Sequence, residues 1–409
     1  MPAIFPFESS AREGSLLLVG LGGYGRTYAR AALPFLDSGA MRVAAVVDPF
    51  AERAEDWPAL AERGVPRFDT VEEAVAAGAR ADLATVATPI ALHAGPVCAA
   101  LEAGMPTLCE KPIAGSADDI RRMTEARDRA KRFVAIGYQW SFTPAVQALK
   151  AAVSAGRLGA PRRLRACVVW PRDAAYYARN RWAGRIRDDA GRLVLDSPVN
   201  NAAAHYLHNM LFVIGGEADR SAKPLSVEAE LYRANPIENF DAACMRIATD
   251  IGAEVDFVAV HCADVSFGPA SVFEFEEATV TFEGAGSTFH AVFRDGREED
   301  FGSPDAGGHT GKLWSCLAAA RAGRFEDRPP CGIETATPHA TVVSGLAEIP
   351  VADLPRPLLR SAPLAPGAAP TTWCEGMADA AREAYRHGAL FSERGTPWAA
   401  TPRVVRFAG

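Results

Sequence analysis

The stretch LCEKPIAG (108–115) sets Lys111 between an acid, Glu110, and Pro112, directly after the apolar run MPTLC. That run reads as a short buried strand, so the ammonium stands at a strand end. Pro112 restricts the residue before it to an extended conformation, which fixes where the lysine points. A partly desolvated ammonium can bind a substrate oxygen and stabilise negative charge on it. A second group lies near the N-terminus, where VGLGGYG (19–25) places Gly20, Gly22 and Gly25 in a G-x-G-x-x-G pattern around Gly23 and Tyr24. It follows a strand and opens a helix, the context in which such a loop cradles a pyrophosphate at a helix N-terminus. The next strand ends in Asp48, near the usual spacing of about 20 residues for a ribose-binding acid. A carboxylate there accepts from ribose hydroxyls and repels a 2′-phosphate. The following DPF offers no adjacent arginine, so NAD is expected over NADP.

A third group is WPRDAAYYARNRWAGRIRDDAGR (170–192), where Trp170, Tyr176, Tyr177 and Trp182 alternate with Arg172, Arg179, Arg181 and Arg185. Aromatic faces stack on sugar rings, and arginines donate to hydroxyls or clamp a carboxylate or phosphate. The same composition also suits a surface loop or an oligomer contact.

The elements that must position these groups follow from periodicity. Over 15–137, strand and helix signals alternate: SLLLVG, GRTYARAALPFL, MRVAAVVD, AERAEDWPALAERG, TVEEAVAAG with Thr70 as N-cap, ADLATVAT, ALHAGPVCAALEAG closed by Gly104, MPTLCE, SADDIRRMTEARDRA and FVAIGY. Alternating units of this kind imply an α/β doubly wound parallel sheet, with ligands at the carboxyl ends of the strands. After about residue 143 extended stretches succeed one another, several with apolar–polar alternation, which implies an α+β region with a large, mainly antiparallel open sheet. HTGKLWSCLAAARAG (309–323) and TATPHATVVSGLAEI (335–349) are expected to cover one face of it, and 355–373 is expected to be extended or loop-like. The expected domains are 1–140, 141–350, and a C-terminal extension, 351–409, packed on the second.

At this point VATPIALHAGPVCAALEAGMPTLCEKP (86–112), continued by FVAIGYQWSFTPAVQALKAAVSAGRLG (133–159), resembles the signature of the Gfo/Idh/MocA oxidoreductases. The resemblance implies a Rossmann domain, a second antiparallel domain, a nicotinamide cofactor and sugar, cyclitol or polyol substrates. It implies cofactor contacts from Thr88, Pro89, His93, Glu110, Lys111 and Gln139, with Trp140 near the crevice. The family usually carries Asp-x-x-x-His in its second domain. The counterpart here is NAAAH, Asn201 to His205. His205 then takes the proton-transfer role beside Lys111, and the two are expected to meet on one carbinol. Asn201 can orient substrate but cannot carry charge; Asp196 stands too far along the chain from His205 to replace the acid. His208, three residues on, also faces the pocket in this reading, with Arg172, Tyr176 and Trp182 as further substrate contacts. The expected activity is an NAD-dependent dehydrogenase or ketoreductase. Its rivals are redox-cycled glycoside hydrolysis and a non-catalytic NAD or sugar sensor.

The totals narrow the classes further. The 409 residues carry a net charge of −7, which argues against a nucleic-acid partner. No run is long enough to span a bilayer, and MPAIFPFESSAREG lacks the layout of a signal peptide. The eight cysteines form no CxxC pair and no zinc-type cluster, so no metal centre is expected and reduced thiols in a cytoplasmic protein are. Relatives commonly associate through the second domain's exposed sheet face, so a homodimer or homotetramer is expected.

Overall fold

The computed structural model describes residues 14–323 and 328–407, so the expectation placed on MPAIFPFESSARE lies outside the described residues. The chain forms two compact units, one from 1–144 and 306–337, the other from 145–305 and 338–409.

In the first unit, β1 (Gly14–Val19), α1 (Gly25–Leu36), β2 (Met41–Val47), α2 (Trp57–Ala61), β3 (Arg67–Phe68), α3 (Val71–Ala76), β4 (Leu83–Val86), α4 (Ala94–Glu102), β5 (Thr107–Cys109), α5 (Ala117–Ala130) and β6 (Val134–Ile136) follow one another. The strands form one parallel sheet in the order β3-β2-β1-β4-β5-β6. Leu16, Leu17, Leu83, Ala84 and Leu108 are fully buried in it, as strands covered on both faces require. The direction of winding reverses between β1 and β4, which opens a crevice at their carboxyl ends. Local signals behave as read: Thr70 caps α3 by accepting from Glu73 N at 3.1 Å, and Gly104 leaves α4 with φ +80°. The single helix expected over AERAEDWPALAERG is instead a short turn, 51–53, and α2. Pro58 lacks the N–H that an ongoing helix needs and fits only a first turn, so the helix restarts just before it.

The second unit continues with α6 (Pro144–Ser154), β7 (Pro161–Val169), α7 (Ala174–Ala178), α8 (Ala204–Val213), β8 (Pro224–Arg233), β9 (Ala242–Thr249), β10 (Glu254–Val260), β11 (Phe267–Phe275), β12 (Ala278–Phe282), β13 (His290–Phe293) and β14 (Glu298–Asp300). The chain then returns to the first unit with α9 (Gly311–Ala322). This departs from the sequence reading, which laid that helix on the second sheet. An apolar helix face fits any sheet; here Trp314 meets Phe35 edge-on at 5.9 Å, and Lys312 finds Glu110. Just beyond, Cys331 O accepts from Ile136 N at 2.8 Å and closes the edge of β6.

After α10 (Ile333–Leu346) come β15 (Val351–Asp353), β16 (Leu359–Ala362), β17 (Thr371–Cys374), α11 (Met377–His387) and β18 (Arg403–Arg406). The large sheet runs β14-β13-β12-β11-β7-β10-β9-β8-β15, with β18 also on β8. Its neighbours are antiparallel except for β7 with β10 and β8 with β15. β15 pairs with Leu231–Arg233 and β18 with Ser226–Ala229, so two short strands share the outer edge of β8. Residues 355–373, expected to be extended or loop-like, carry β16 and most of β17, the two strands of a hairpin. Met377, Ala381 and Ala384 of α11 pack with Phe391 on Cys167, Val169, Val258 and Val260. The alternate β7 residues Leu164, Ala166 and Val168 are equally buried, so the centre of this sheet is covered on both faces, not one.

Phe391 is fully buried, with Tyr232 at 5.9 Å and Trp398 at 5.3 Å between ring centroids. Phe391→Ala is expected to lower unfolding free energy by about 3–5 kcal/mol. A urea titration read through the midpoint at constant slope checks this; a loss under about 1 kcal/mol would show that the tail is not part of the core.

Candidate active site

The glycine loop leaves β1 and enters α1 with no room for side chains at its tightest point. A Cβ on Gly25 would stand 2.0 Å from Gly20 O. A Cβ on Gly22 would meet nothing within 4 Å, so its bare backbone faces open space that a phosphate can approach. Gly20 and Gly23 complete the loop with positive φ. No acid occupies the first turn of α1 to compete for its positive end. Asp48 accepts from Leu21 N and from Phe50 N, both at 2.8 Å, so the ribose-binding candidate also holds the glycine loop in place. Arg67, far away in sequence, donates to Asp48 O at 3.2 Å and Pro49 O at 2.8 Å and pairs with Asp69. Its charge is thus committed to backbone and a second acid, and the carboxylate of Asp48 remains the local discriminator. Thr88 follows β4, and its buried hydroxyl meets no partner among the described residues. Open glycine backbone, a seated acid and an unmatched hydroxyl fit a dinucleotide at this edge.

At the end of β5 the structure changes the role of two expected residues. Glu110 is buried; its Oε1 accepts from the Tyr28 hydroxyl and from Lys312 Nζ at 2.5 Å. Lys312, equally buried, also donates to Gly137 O at 2.9 Å and lies over the Tyr24 ring at 4.3 Å. Glu110 is therefore a brace at the strand end, with Lys111 N 3.3 Å from its Oε2. Burial, then the nearby carboxylate, pushes the Tyr28 hydroxyl well above its ordinary range, so it stays a donor. His93 is a brace too. Its Nδ1 lies 3.0 Å from Pro112 O and its Nε2 2.9 Å from Thr88 O, which ties the loop after β4 to the turn after Lys111. Gln139 Oε1 lies 3.3 Å from His309 Nδ1, and the Tyr24 hydroxyl donates to His309 O at 3.0 Å. Pro89 precedes the turn that enters α4, and Trp140 is buried after β6. Lys312 and His309 were missed by the sequence reading. The one available signal was a lysine inside the apolar GKLWSCLAAA.

In the second unit, His205 is half-buried in the first turn of α8. His208 is not its neighbour in a pocket. It is fully buried, stacked on Phe212 at 5.8 Å and 17°. Burial, reinforced by His339 and Lys150, holds its imidazole well below the ordinary value. Asn201 donates from Nδ2 to Asp196 Oδ1 at 2.9 Å. Asp196, set aside on sequence distance, therefore stands directly behind the amide that replaces the expected acid. Gly184 N, at 2.6 Å, and Arg179, at 3.3 Å, hold its other oxygen. Burial nonetheless raises its carboxyl above the usual range. Arg179 covers the Tyr176 ring at 3.7 Å and Trp182 at 5.4 Å; Arg172 covers the same Tyr176 ring at 4.8 Å. Arg172, Arg179 and the aromatic rings of the run thus form one cluster with the two cations stacked on the rings.

Sheet order, glycine loop and the acid at the end of β2 define a Rossmann-type fold. A family model for an oxidoreductase family with an NAD-binding Rossmann fold, Gfo/Idh/MocA, matches residues 15–138. The rhizopine catabolism protein MocA of Rhizobium meliloti is 34% identical over 142 residues, 35% of this chain and 43% of that protein. Inositol 2-dehydrogenase of Rubrobacter xylanophilus is 35% identical over 159 residues, 38% of this chain and 43% of its own length. The match thus spans less than half of these relatives. Among solved structures, the WlbA dehydrogenase of Bordetella pertussis, in complex with NADH and UDP-GlcNAcA, matches with a TM-score of 0.64 at 21% identity. It covers 82% of this chain and 94% of that one, which shows a shared fold.

Gly25→Ala is expected to weaken NADH binding at least tenfold, because loop and helix must separate to admit the methyl group. Fluorescence titration with NADH checks it; unchanged affinity would contradict the cradle. A pH effect follows from His208. Its folded value lies below that of the unfolded chain, about 6.5, so its contribution is full above that pH and is lost as pH falls toward the folded value. The stability difference between wild type and His208→Gln should shrink from pH 7 to pH 5, by up to about 1.4 kcal/mol per pH unit. Urea melts at three pH values measure it, and a constant difference would mean that the ring is not held neutral.

Proposed function

We propose that the chain is an NAD-dependent dehydrogenase or reductase acting on a secondary alcohol or ketone of a sugar, cyclitol or related polyol. The observation that carries this reading is the open glycine cradle with Asp48 seated on it, on the strand edge that also carries Lys111. NAD, when bound, supplies the hydride acceptor or donor. Lys111 donates to the reacting oxygen and eases loss of its proton. His205 takes that proton as general base and returns it in the reverse direction. It stands half-buried in the first turn of α8, and an imidazole is suited to exchanging a hydroxyl proton. Asn201, its amide oriented by Asp196, binds a substrate hydroxyl without adding charge. Assembly as a homodimer or homotetramer and a cytoplasmic setting belong to the same reading. All eight cysteines are free thiols, and among the described residues no helix is long and apolar enough to cross a membrane.

The test is a panel of cyclitols, aldoses, uronates and glycosides with NAD, followed by nicotinamide absorbance and by sugar release. Lys111→Ala and His205→Asn are each expected to lower kcat by about 10²–10⁴ while NADH binding persists. Release of sugar from a glycoside with no net absorbance change would move the reading to redox-cycled hydrolysis. Turnover untouched by either substitution would remove both residues from the mechanism.

A further inference from the structure

We propose that Arg172, with His261 and Tyr177, forms a subsite for the carboxylate and a neighbouring hydroxyl of an acidic sugar, a uronate or aldonate. The proposal deepens the dehydrogenase reading, since it names the substrate class of the same site.

The cluster is rigid before any ligand arrives. Arg172 N donates to His261 O at 3.0 Å and Trp170 N to Val260 O at 2.9 Å. The tail grips the same turn, because Ala174 N donates to Pro370 O at 2.9 Å and Asp173 bridges to Thr371. The guanidinium of Arg172 lies over Trp170 at 5.8 Å and over Tyr176 at 4.8 Å. It bonds the Tyr176 hydroxyl, yet no carboxylate pairs with it among the described residues. Its neighbours differ: Arg179 is paired with Asp196, and Arg181 and Arg185 with Asp189.

Three buried polar atoms around Tyr176 meet no partner among the described residues: Arg172 Nε, the Tyr177 hydroxyl and His261 Nε2. The Tyr176 ring lies 5.6 Å from that of His261 and 5.3 Å from that of Tyr177. A fold normally matches such groups, so three on residues that each touch the Tyr176 ring call for an occupant. Their chemistry says which. His261 Nδ1 lies 2.9 Å from Trp170 O, so the ring's one N–H is spent there and Nε2 is a lone-pair acceptor. Burial, then the Arg172 charge, pushes this imidazole down to about 3, so Nε2 remains an acceptor at any working pH. Arg172 Nε is a charged donor and Tyr177 a hydroxyl donor. A neutral polyol matches His261 and Tyr177 but leaves the arginine without its anion. A hydroxy-carboxylate matches all three. The cluster adjoins the proton-transfer candidate, because Trp170 packs edge-on against Tyr206, next to His205, at 5.6 Å. A phosphate shares the anionic chemistry, but the first turn of α7 beside Arg172 is already capped by the Asp173 carboxylate, which accepts from Tyr176 N at 2.9 Å, and one arginine with no lysine beside it suits a singly charged carboxylate better.

The experiment titrates the full chain with D-glucuronate, D-galacturonate, D-glucose, D-galactose and glucose 6-phosphate. Tryptophan fluorescence reads binding, since Trp170 and Trp182 flank the arginines, and nicotinamide absorbance with NAD reads turnover. The uronates are expected to bind at least tenfold tighter than their neutral hexoses. Arg172→Gln should abolish that preference while NADH binding and thermal unfolding stay as in wild type; Arg172→Lys should restore part of it. Equal binding of uronate and hexose, binding of neither, a preference for glucose 6-phosphate alone, or a preference that survives Arg172→Gln overturns the proposal. A uronate that binds through Arg172 but is never oxidised overturns the dehydrogenase reading and leaves the subsite standing.

Discussion

The buried contact between Glu110 and Lys312 governs how the first unit presents its chemistry. An unpaired charge at either position would be strongly destabilising inside the protein, so helix α9 can dock only where its ammonium reaches that carboxylate. The hydrogen bonds then spread outward. Tyr28 from α1 reaches the same carboxylate oxygen, and Gly137 O after β6 takes a second bond from the ammonium. Even a methyl group on Gly137 would lie 2.8 Å from the carboxylate, so the packing leaves no slack. Two strand ends, those of β5 and β6, the helix of the glycine loop and the returning helix are thereby registered to one another, and Lys111 extends from the residue next to the anion.

The second unit solves a related problem with other means. Arg172 and Arg179 are stacked on the Tyr176 ring, Arg179 also pairs with Asp196, and the segment bearing them has only the five-residue helix α7 for regular structure. The tail compensates. Its hairpin bonds the turn at Asp173, its helix seals the sheet beneath, and its last strands close the edge of β8. The extension beyond residue 350 thus belongs to the framework of the second unit and of its arginine and aromatic cluster.

What the sequence disclosed was whatever depends on neighbours in the chain. Thr70 caps its helix and Gly104 ends its own as their spacing says, and Gly25 and Asp48 sit at the turn and strand end where the sequence puts them, because turn geometry, capping and strand ends are local. Features settled by distant partners were not legible. Glu110 and His93 look like ligand-facing residues until Lys312, Pro112 and Thr88 are seen to occupy them. His208 shares a helix with His205, yet its ring lies in the core against Phe212. Asp196 was dismissed by counting residues, although the turns between it and α8 bring it to hydrogen-bonding distance of Asn201. The same limit misplaced α9, whose apolar periodicity says that it needs a sheet but not which one.

The interruption of the first unit by the second has a consequence for biosynthesis. Lys312 is made 202 residues after Glu110, so a nascent chain completes all six parallel strands while the anion among them still lacks its cation. Closure of the parallel sheet through this pair has to wait until Lys312 and the second-unit strands before it have been made, and chaperones can engage the half-closed first unit during that delay.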